Sequence, residues 1–471
     1  MRFTSPLKRL VTSLFFLAPL TLSAEQKANI LFICVDDLRP ELGCYGKEHM
    51  YTPNIDRLAA QGRLFSRHYV QVPTCGASRA ALLTGRYPRT GADLGNGAIS
   101  AAHKRAQSTT TLPQTFRDNG YTTISIGKVS HHPGGLMGKE WNDPSKVEMP
   151  GAWDQHLMPS GEWKTPQRAM HGLAHGVPRS RGKSPAIEIE EGPDTLYPDG
   201  LITNTALEHI SQLAKQEKPW LLAVGLIKPH LPFTAPKQYW DLYEGKDLPP
   251  VQHPEKPERS LTWSKSGEFL GGYSHEEKDP REDTAYAAHV RRHYYASVSY
   301  VDAQVGKILN ALEQSGQKDH TIVVLWGDHG WNLGERRIWG KHNLYEEALH
   351  SPLIIRSPEM KQAGTAADAI TETIDIFPTL CELTGVVKPN TLDGASLAPQ
   401  LKVATAESDG IARSFWKGSQ SLRTDRYRLT RQTSKSKATD YNLFRFPETE
   451  TPNSEQTQKV AAQLESQFFT P

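Results

Sequence analysis

The amino-acid sequence predicts an α/β protein with a large, doubly wound and mostly parallel sheet that has helices on both faces. Two observations predict this fold. Apolar runs of strand length alternate with segments of helical periodicity along most of the chain, which is typical of βαβ units. The apolar runs are continuous rather than alternating, as expected of strands that are covered on both faces. Beyond about residue 386 short alternating segments predict a small C-terminal subdomain with an antiparallel sheet and a helix.

The individual elements follow the periodicity of apolar residues. Strands are expected where apolar residues run together, and helices where they recur at three- and four-residue steps. Several helices end at a glycine, which readily adopts the left-handed conformation that terminates a helix. The expected strands span residues 28–35, 64–72, 121–126, 219–227, 321–326 and 351–356. The expected helices span residues 52–62, 112–119, 203–215, 294–314 and 374–385, and a further helix begins near Cys75.

The remaining segments have a different character. Residues 419–429 and 440–446 alternate polar and apolar side chains and predict short strands, and residues 460–468 predict a final helix. Residues 133–198 and 241–283 show little periodicity. Irregular stretches of this length inside a compact domain are usually functional, so we expect these two loops to build substrate subsites.

Composition and the first residues indicate an exported protein. The 471 residues carry a net charge of +2 and no basic block, which argues against a nucleic-acid partner. Arg2, Lys8 and Arg9 precede an apolar stretch at 10–22 that is too short to span a membrane comfortably. We therefore expect a periplasmic or secreted protein without a transmembrane anchor after cleavage. The expected organisation is a signal peptide at 1–24, a catalytic α/β domain at 25–385 and a small C-terminal subdomain at 386–471.

Four cysteines are present, and they call for different interpretations. Cys34 lies in an apolar strand and Cys381 in an amphipathic helix, where both are expected as buried small hydrophobic residues. A bridge between Cys34 and Cys44 is an open alternative.

Cys75 stands at a predicted helix start, where backbone N–H groups favour an anion and lower the pKa of a thiol. Arg79 follows one helical turn later and would point to the same side. The alternative is a buried structural cysteine beside a surface arginine.

Polar side chains follow four of the predicted strands, at the point where each strand ends. Ligand sites of doubly wound sheets form at the carboxyl ends of the strands, so these side chains are expected to meet. In chain order they are Asp36 with Asp37, Lys128 with His131, His230, and Asp328 with His329.

The chemistry of these groups suits a metal ion and a tetrahedral oxyanion. The three aspartates supply hard oxygen ligands of the kind that Ca²⁺ and Mg²⁺ prefer, and His329 is either a fourth ligand or a hydrogen-bond donor. Lys128, Lys341 and Arg79 would form a cationic pocket for a sulfate or phosphate ester. His131 and His230 have the pKa range required of general acids and bases near neutral pH. His132 has no assigned role and could face the substrate.

At these residues the sequence resembles the type I sulfatases of the alkaline phosphatase superfamily, and within them the iduronate-2-sulfatase-like branch. The family signature corresponds to Cys75-Gly-Ala-Ser-Arg79 followed by Leu83-Thr-Gly-Arg86, with Ala77 where proline is commoner. Further matching blocks are Asp36-Asp37, Gly127-Lys-Val-Ser-His131, Lys228-Pro-His-Leu-Pro-Phe233, Asp328-His-Gly-Trp331 and Trp339-Gly-Lys341.

The resemblance implies a modified nucleophile at Cys75. A formylglycine-generating enzyme would convert Cys75 to formylglycine (3-oxoalanine), and one hydroxyl of the hydrated aldehyde would attack sulfur. Ca²⁺ would be bound by Asp36, Asp37, Asp328, His329 and the modified Cys75.

The resemblance also implies roles for the surrounding side chains. Arg79 would support the hydrated aldehyde, and Lys128 and Lys341 would hold the sulfate. His230 would protonate the leaving alcohol, and His131 would help to expel sulfate.

The implied reaction is hydrolysis of a sulfate ester on a sulfated carbohydrate, such as a polysaccharide or oligosaccharide with uronic acids or other anionic groups. Two alternatives remain at this point. One is a phosphate or phosphonate ester hydrolase of the same superfamily. The other is a glycan-binding protein without turnover, which would apply if Cys75 stays unmodified.

Overall fold

The structure is a computed structural model, and it describes most of the chain after the first 26 residues. The described residues are 1, 27–105, 110–136, 138–258, 260–358, 360–433, 439–446, 449–451 and 455–468. The signal peptide expected at 1–24 lies outside the described residues except for Met1, so it stays a prediction. Within the described ranges, none of the helices combines the length and the apolar character that crossing a bilayer requires.

An eight-stranded sheet forms the centre of the molecule. Its strand order is β12-β2-β11-β8-β1-β6-β3-β4, and every neighbouring pair is parallel except the two pairs made by β11. These strands are β1 (Asn29–Val35), β2 (Arg63–Tyr69), β3 (Thr122–Gly127), β4 (Gln155–Leu157), β6 (Trp220–Leu226), β8 (Thr321–Gly327), β11 (Leu353–Arg356) and β12 (Ala366–Glu372). The predicted large, mostly parallel sheet is thereby confirmed.

Three smaller sheets accompany it. Two are two-stranded pairs: β5 (Ile187–Glu190) with β7 (Phe233–Pro236), and β9 (Asn332–Leu333) with β10 (Trp339–Gly340). The third has five antiparallel strands in sequential order and forms the C-terminal part. It consists of β13 (Ala412–Trp416), β14 (Ser419–Arg423), β15 (Tyr427–Thr433), β16 (Thr439–Arg445) and β17 (Thr449–Thr451).

The first seven α-helices are α1 (Pro53–Gln61), α2 (Cys75–Thr84), α3 (Ala98–Arg105), α4 (Leu112–Asp118), α5 (Pro166–Met170), α6 (Pro198–Leu213) and α7 (Lys237–Trp240). The others are α8 (Gly267–Gly272), α9 (Thr284–Gln314), α10 (Glu346–Leu349), α11 (Ile376–Thr384), α12 (Ala398–Lys402) and α13 (Glu455–Leu464). Helices that cover the large sheet include α1, α4, α6, α9 and α11, whereas α13 packs on the C-terminal sheet.

Strand β1 shows why the sheet is covered on both faces. Alternate residues of a strand point to opposite faces. Leu31, Ile33 and Val35 belong to the apolar core that includes residues of α1, α6 and α9, whereas Ile30 and Phe32 belong to a second core with residues of α4 and α11. Both faces therefore bury apolar side chains, which explains the continuous apolar run and confirms the doubly wound arrangement.

Several element boundaries differ from the sequence-based expectation. Helix α9 begins at Thr284 rather than 294, because the side chain of Asp283 accepts a 2.9 Å hydrogen bond from the backbone N–H of Tyr286 and caps the helix. Helix α6 begins at Pro198 and α13 at Glu455, each five residues before the expected start. The edge strand β12 was missed because its sequence has no continuous apolar run.

The five-stranded sheet and α13 share a small core of their own. It includes Leu422, Leu429, Leu443, Val460 and Phe468. This confirms the predicted antiparallel sheet with a helix. Its first strand is attached to the large sheet, since Phe415 N–H donates to the Gln71 carbonyl at 2.8 Å and Ser414 Oγ donates to the Val70 carbonyl at 2.6 Å. The domain boundary at 386 stays a prediction.

One buried carboxylate joins the longest helix to α1. Asp302 Oδ1 accepts hydrogen bonds from the backbone N–H groups of Ile55 at 2.7 Å and Asn54 at 3.1 Å, in the first turn of α1. Asp302→Ala is expected to lower the free energy of unfolding by about 2 kcal/mol, because these N–H groups lose their acceptor while they stay away from water. Urea unfolding measures this change.

The matched control for this prediction is Asp319→Ala. The Asp319 side chain is 87% exposed and pairs with Arg356 at 3.1 Å, and such surface pairs contribute less than about 1 kcal/mol. Equal losses in the two variants would contradict the capping role of Asp302.

Candidate active site

Four neighbouring strands of the large sheet deliver polar side chains to one edge. Strands β8, β1, β6 and β3 lie side by side and are parallel, so their carboxyl ends meet. Asp328 and His329 follow β8, Asp36 and Asp37 follow β1, His230 follows β6, and Lys128 and His131 follow β3. The structure brings all of these residues together with Cys75, Arg79 and Lys341.

Asp36 is fully buried between two cations. Arg79 Nη2 lies 3.2 Å from Asp36 Oδ1, and Lys128 Nζ contacts Asp36 Oδ2. Burial alone would raise the pKa of Asp36, but the permanent positive charges of Lys128 and Arg79 outweigh burial and hold the pKa well below its usual range. Asp36 is therefore ionised, and its charge is matched inside the protein.

Asp37 occupies the centre of the site. Its backbone has a φ of 57°, and its N–H donates to Asp328 Oδ1 at 2.9 Å. Lys341 Nζ lies 2.8 Å from Asp37 Oδ1. Aspartate tolerates this left-handed conformation better than most residues, which turns the chain sharply after β1 and points both adjacent carboxylates into one pocket.

Cys75 begins α2 and faces the carboxylates. Its Sγ lies 3.2 Å from Lys341 Nζ, 3.3 Å from His329 Nε2 and 3.9 Å from Asp37 Oδ1. The expectation of a lowered thiol pKa is wrong. Burial and the charge of Asp36 raise the pKa of Cys75 well above its usual value, and these effects outweigh the opposing charges of Lys128 and Lys341.

Arg79 reaches the same cluster through the aspartates. Its Nε donates to Asp328 Oδ2 at 3.0 Å, its Nη2 pairs with Asp36, and its Nη1 donates to the Val129 carbonyl at 3.1 Å. The side chain has no exposed surface. The alternative of a surface arginine is therefore excluded, and the guanidinium braces two carboxylates rather than the sulfur.

The two lysines contact different aspartates of the site, Lys128 contacting Asp36 and Lys341 contacting Asp37. Lys128 leaves β3 beside Gly225 of β6, where a Cβ would lie 2.0 Å from the Lys128 carbonyl carbon, so only glycine permits this approach. Lys341 follows β10 and lies 5.3 Å from the ring centroid of Trp331. Burial would lower the pKa values of both lysines, but Asp36 and Asp37 outweigh it and raise them.

The histidines are buried and favour the neutral form in the free pocket. Burial, together with Lys341, lowers the pKa of His230, and burial together with Lys128 lowers the pKa of His131. His230 Nδ1 bonds to the Leu231 carbonyl at 2.7 Å, which turns Nε2 toward Asp37 Oδ2 at 3.9 Å.

His329 is oriented in the same way. Its Nδ1 bonds to the Gly330 carbonyl at 3.1 Å, so its Nε2 is turned toward Cys75 and Asp37. A carbonyl partner on one ring nitrogen is the arrangement that fixes a metal-binding histidine.

The donor atoms fit a hard divalent cation. One ligand atom each from Asp36, Cys75, Asp328 and His329 lies within 4.8 Å of all the others, and the same holds for Asp36, Asp37, Cys75 and His230. The carboxylate oxygens of Asp36, Asp37 and Asp328 are hard ligands of the kind that Ca²⁺ and Mg²⁺ prefer. The three aspartates therefore fit the Ca²⁺ that the family resemblance implies.

Sequence reasoning missed one charged residue of this pocket. Glu268 comes from the irregular segment 241–283, and Oε1 lies 3.6 Å from Lys341 Nζ. No motif distinguishes it from other acidic residues in that loop. His132, to which the sequence assigns no role, is buried and its Nδ1 is hydrogen-bonded to Glu148 Oε1 at 2.7 Å.

The cysteines outside the pocket behave as their positions suggest. All four cysteines lie in the described part of the chain, and all are free. Cys34 and Cys381 are buried among apolar side chains as expected, and the alternative of a bridge between Cys34 and Cys44 is excluded.

The family comparison agrees with this geometry. The sulfatase family matches residues 28–386, and the family described as N-sulphoglucosamine sulphohydrolase, C-terminal, matches residues 334–469. Iduronate 2-sulfatase of Homo sapiens is 31% identical over 400 residues, which cover 78% of this chain and 70% of that protein. A sulfatase of Formosa agariphila is 30% identical over 434 residues, which cover 85% and 78% of the two chains.

A solved structure supports the fold independently. The phosphonate monoester hydrolase of Agrobacterium radiobacter superimposes with a TM-score of 0.73 and 23% identity, over 94% of each chain. At this identity the likeness concerns the fold alone. The matched families, the relatives and the site together lead to one conclusion: the chain belongs to the sulfatase family and is a sulfuric ester hydrolase.

Proposed function

We propose that this hydrolase removes sulfate from a sulfated carbohydrate, with a formylglycine made from Cys75 as its nucleophile and Ca²⁺ as its metal. One observation carries the proposal. Cys75 Sγ, the atom that the modification would replace, lies within 4 Å of Asp37, His329 and Lys341 at the centre of the buried cluster. A hydrated aldehyde at this position would supply the hydroxyl that attacks sulfur.

The charges of the pocket favour a sulfate ester. When a bound cation keeps all three aspartates ionised, their charges balance those of the three basic side chains in the buried cluster, Arg79, Lys128 and Lys341. A bound Ca²⁺ would supply Lewis-acid stabilisation and leave the cluster with a net charge of +2. Preorganised positive charge of this kind stabilises the negative charge that develops on the sulfuryl oxygens.

The chain's own residues would divide the remaining work. Lys128 and Lys341 can exchange part of their contact with aspartate for contact with the sulfate oxygens, and Arg79 holds Asp36 and Asp328 in place. His230 Nε2 faces the pocket and is the proposed proton donor to the leaving alcohol. An anionic ester beside His230 favours the imidazolium form, which opposes the lowering of its pKa by burial.

The second histidine has a different proposed task. His131 Nδ1 is buried and has no hydrogen-bond partner among the described residues. A neutral imidazole nitrogen of this kind can accept a proton from the nucleophile when sulfate is expelled.

The carbohydrate, the export and the maturation enzyme are parts of the same proposal. The iduronate 2-sulfatase relative supports a sulfated sugar with uronic acid or other anionic groups as substrate. The charged start of the sequence supports export to the periplasm or secretion. Conversion of Cys75 requires a formylglycine-generating enzyme as partner.

Phosphonate ester hydrolysis is a second candidate, favoured by the likeness of the fold to the phosphonate monoester hydrolase. Parallel assays of sulfate esters and phosphonate monoesters separate the two. A higher kcat/KM on the phosphonate would contradict the proposed substrate class.

Cys75→Ala is expected to reduce sulfate release by about 10³-fold or more, because the variant cannot form the nucleophile. Sulfate released from 4-nitrophenyl sulfate and from a panel of sulfated oligosaccharides is measured by ion chromatography. Cys381→Ala is the control, since it removes a buried thiol of α11 outside the site. A Cys75→Ala variant with the wild-type rate would reject the proposed nucleophile.

Removal of the metal is expected to abolish turnover, because three buried carboxylates then hold the cations that should meet the sulfate. The metal is removed with EGTA, and Ca²⁺ is expected to restore activity and to raise the Tm of the folded protein.

Asp328→Asn, which removes one ligand charge, is expected to weaken Ca²⁺ binding by about 10-fold or more in calorimetry. Unchanged affinity in this variant, with the exposed Asp319→Asn as control, would contradict the proposed ligand set.

A further inference from the structure

Glu268 is a carboxylate that the protein holds firmly inside a pocket built for an anion. It lies in the short helix α8, which contacts β10, the strand that directly precedes Lys341. Ser266 Oγ accepts a 2.8 Å hydrogen bond from the N–H of Trp339, and the rings of Phe269 and Trp339 stack at 5.6 Å and 26°. Contacts made by Ser266, before Glu268, and by Phe269, after it, therefore fix the position of Glu268.

The carboxylate faces the part of the pocket where the leaving alcohol would lie. Glu268 Oε1 is 3.7 Å from His230 Nε2 and 3.6 Å from Lys341 Nζ, and Oε2 is 3.9 Å from His342 Nδ1. All three distances exceed that of a direct hydrogen bond. Among the described residues Oε2 has no hydrogen-bond partner, although the side chain is only 26% exposed.

A carboxylate at this place has a cost that some other interaction must offset. It repels the sulfate ester and withdraws part of the positive charge of Lys341 from it. Lys341 lies beside Oε1, but Oε2 has no hydrogen-bond partner among the described residues although the side chain is mostly buried. The repulsion of the ester is offset if the substrate presents O–H or N–H groups to the open oxygen atoms.

We infer that Glu268 is a specificity-determining residue that accepts hydrogen bonds from O–H or N–H groups on the carbon next to the sulfated carbon of the leaving sugar. The inference rests on the proposed function, in which His230 protonates the leaving oxygen. Since Glu268 Oε1 is 3.7 Å from His230 Nε2, a donor one carbon away from the leaving oxygen falls within its reach.

The same geometry excludes a second anion at that neighbouring carbon. The ester and Glu268 are both anionic, and they already share the nearby positive charge of Lys341 and of protonated His230. A vicinal sulfate or carboxylate would meet the carboxylate of Glu268 directly and be repelled by it. Anionic groups of the substrate are therefore expected on more distant sugars or ring positions, and the neighbouring carbon carries a free hydroxyl or an N–H group.

The test compares three sugars that differ only beside the ester. The first is the monosulfated monosaccharide with a free neighbouring hydroxyl that the wild-type enzyme desulfates fastest. The second is its methyl ether at that hydroxyl, and the third carries a second sulfate there. Wild-type enzyme and Glu268→Ala are measured on all three, and the four rates for the first two sugars form a double-mutant cycle.

Glu268→Ala is expected to lower kcat/KM on the hydroxyl sugar by about 10- to 100-fold relative to its effect on the methyl ether, because only the former loses a charge-assisted hydrogen bond. On the vicinal disulfate the same variant is expected to raise kcat/KM, because the repulsion is removed. Glu268→Gln keeps an acceptor oxygen without the charge. On the hydroxyl sugar its kcat/KM is expected to lie between those of the wild-type enzyme and Glu268→Ala. Glu276→Ala, in the same segment and exposed, is the control.

Other outcomes overturn the inference in distinguishable ways. One is an equal loss of kcat/KM in Glu268→Ala on all three sugars and on 4-nitrophenyl sulfate. That result would show that Glu268 positions Lys341 or His230 without contacting the sugar, and the proposed sulfatase reaction would stand. Turnover of 4-nitrophenyl sulfate without turnover of any sugar would also overturn it. A wild-type enzyme that releases sulfate from none of these compounds would overturn the inference and the proposed function together. Glu268→Gln keeps the test valid if Glu268→Ala fails to fold.

Discussion

The burial of three carboxylates at the ends of β1 and β8 is the constraint on which the site depends. Asp36, Asp37 and Asp328 have no solvent-exposed surface, and isolated charges of this kind are too costly to bury. Three distant segments meet this cost by contributing one cation each: α2 supplies Arg79, β3 leads to Lys128, and the loop after β10 supplies Lys341. These ion pairs therefore link the large sheet to helix α2, which carries Cys75 and Arg79, and to the loop that carries Lys341.

These ion pairs also explain why the cations are available for catalysis. A lysine that neutralises a buried aspartate is already desolvated and oriented, so little reorganisation is needed when a metal and an ester enter. The C-terminal sheet contacts the loop that carries Lys341. Trp416 of β13 stacks on the His342 ring at 5.1 Å and 11°, and His342 directly follows Lys341. The small subdomain therefore supports the loop that carries one of the two lysines.

Much of the fold and the site follows from the sequence because parallel strands impose a common edge. Once β1, β3, β6 and β8 are recognised as buried strands, Asp36, Lys128, His230 and Asp328 must lie near one another. Features that depend on tertiary contacts could not be predicted in this way. The thiol pKa of Cys75 depends on burial beside Asp36, which the helix N-terminus alone does not indicate. Glu268 reaches the pocket through the packing of Phe269 on Trp339, and no local pattern records this.

The central claim is that Cys75 is the precursor of the nucleophile, and the mass of the peptide that contains it tests this claim most directly. Conversion to formylglycine exchanges the elements of H₂S for one oxygen atom, so the modified and unmodified peptides differ in mass and are resolved by mass spectrometry. The protein should be produced with a formylglycine-generating enzyme, and its sulfate release measured on the same sample. Active protein is expected to carry the aldehyde at residue 75. Full activity in protein whose Cys75 is entirely an unmodified thiol would contradict the central claim.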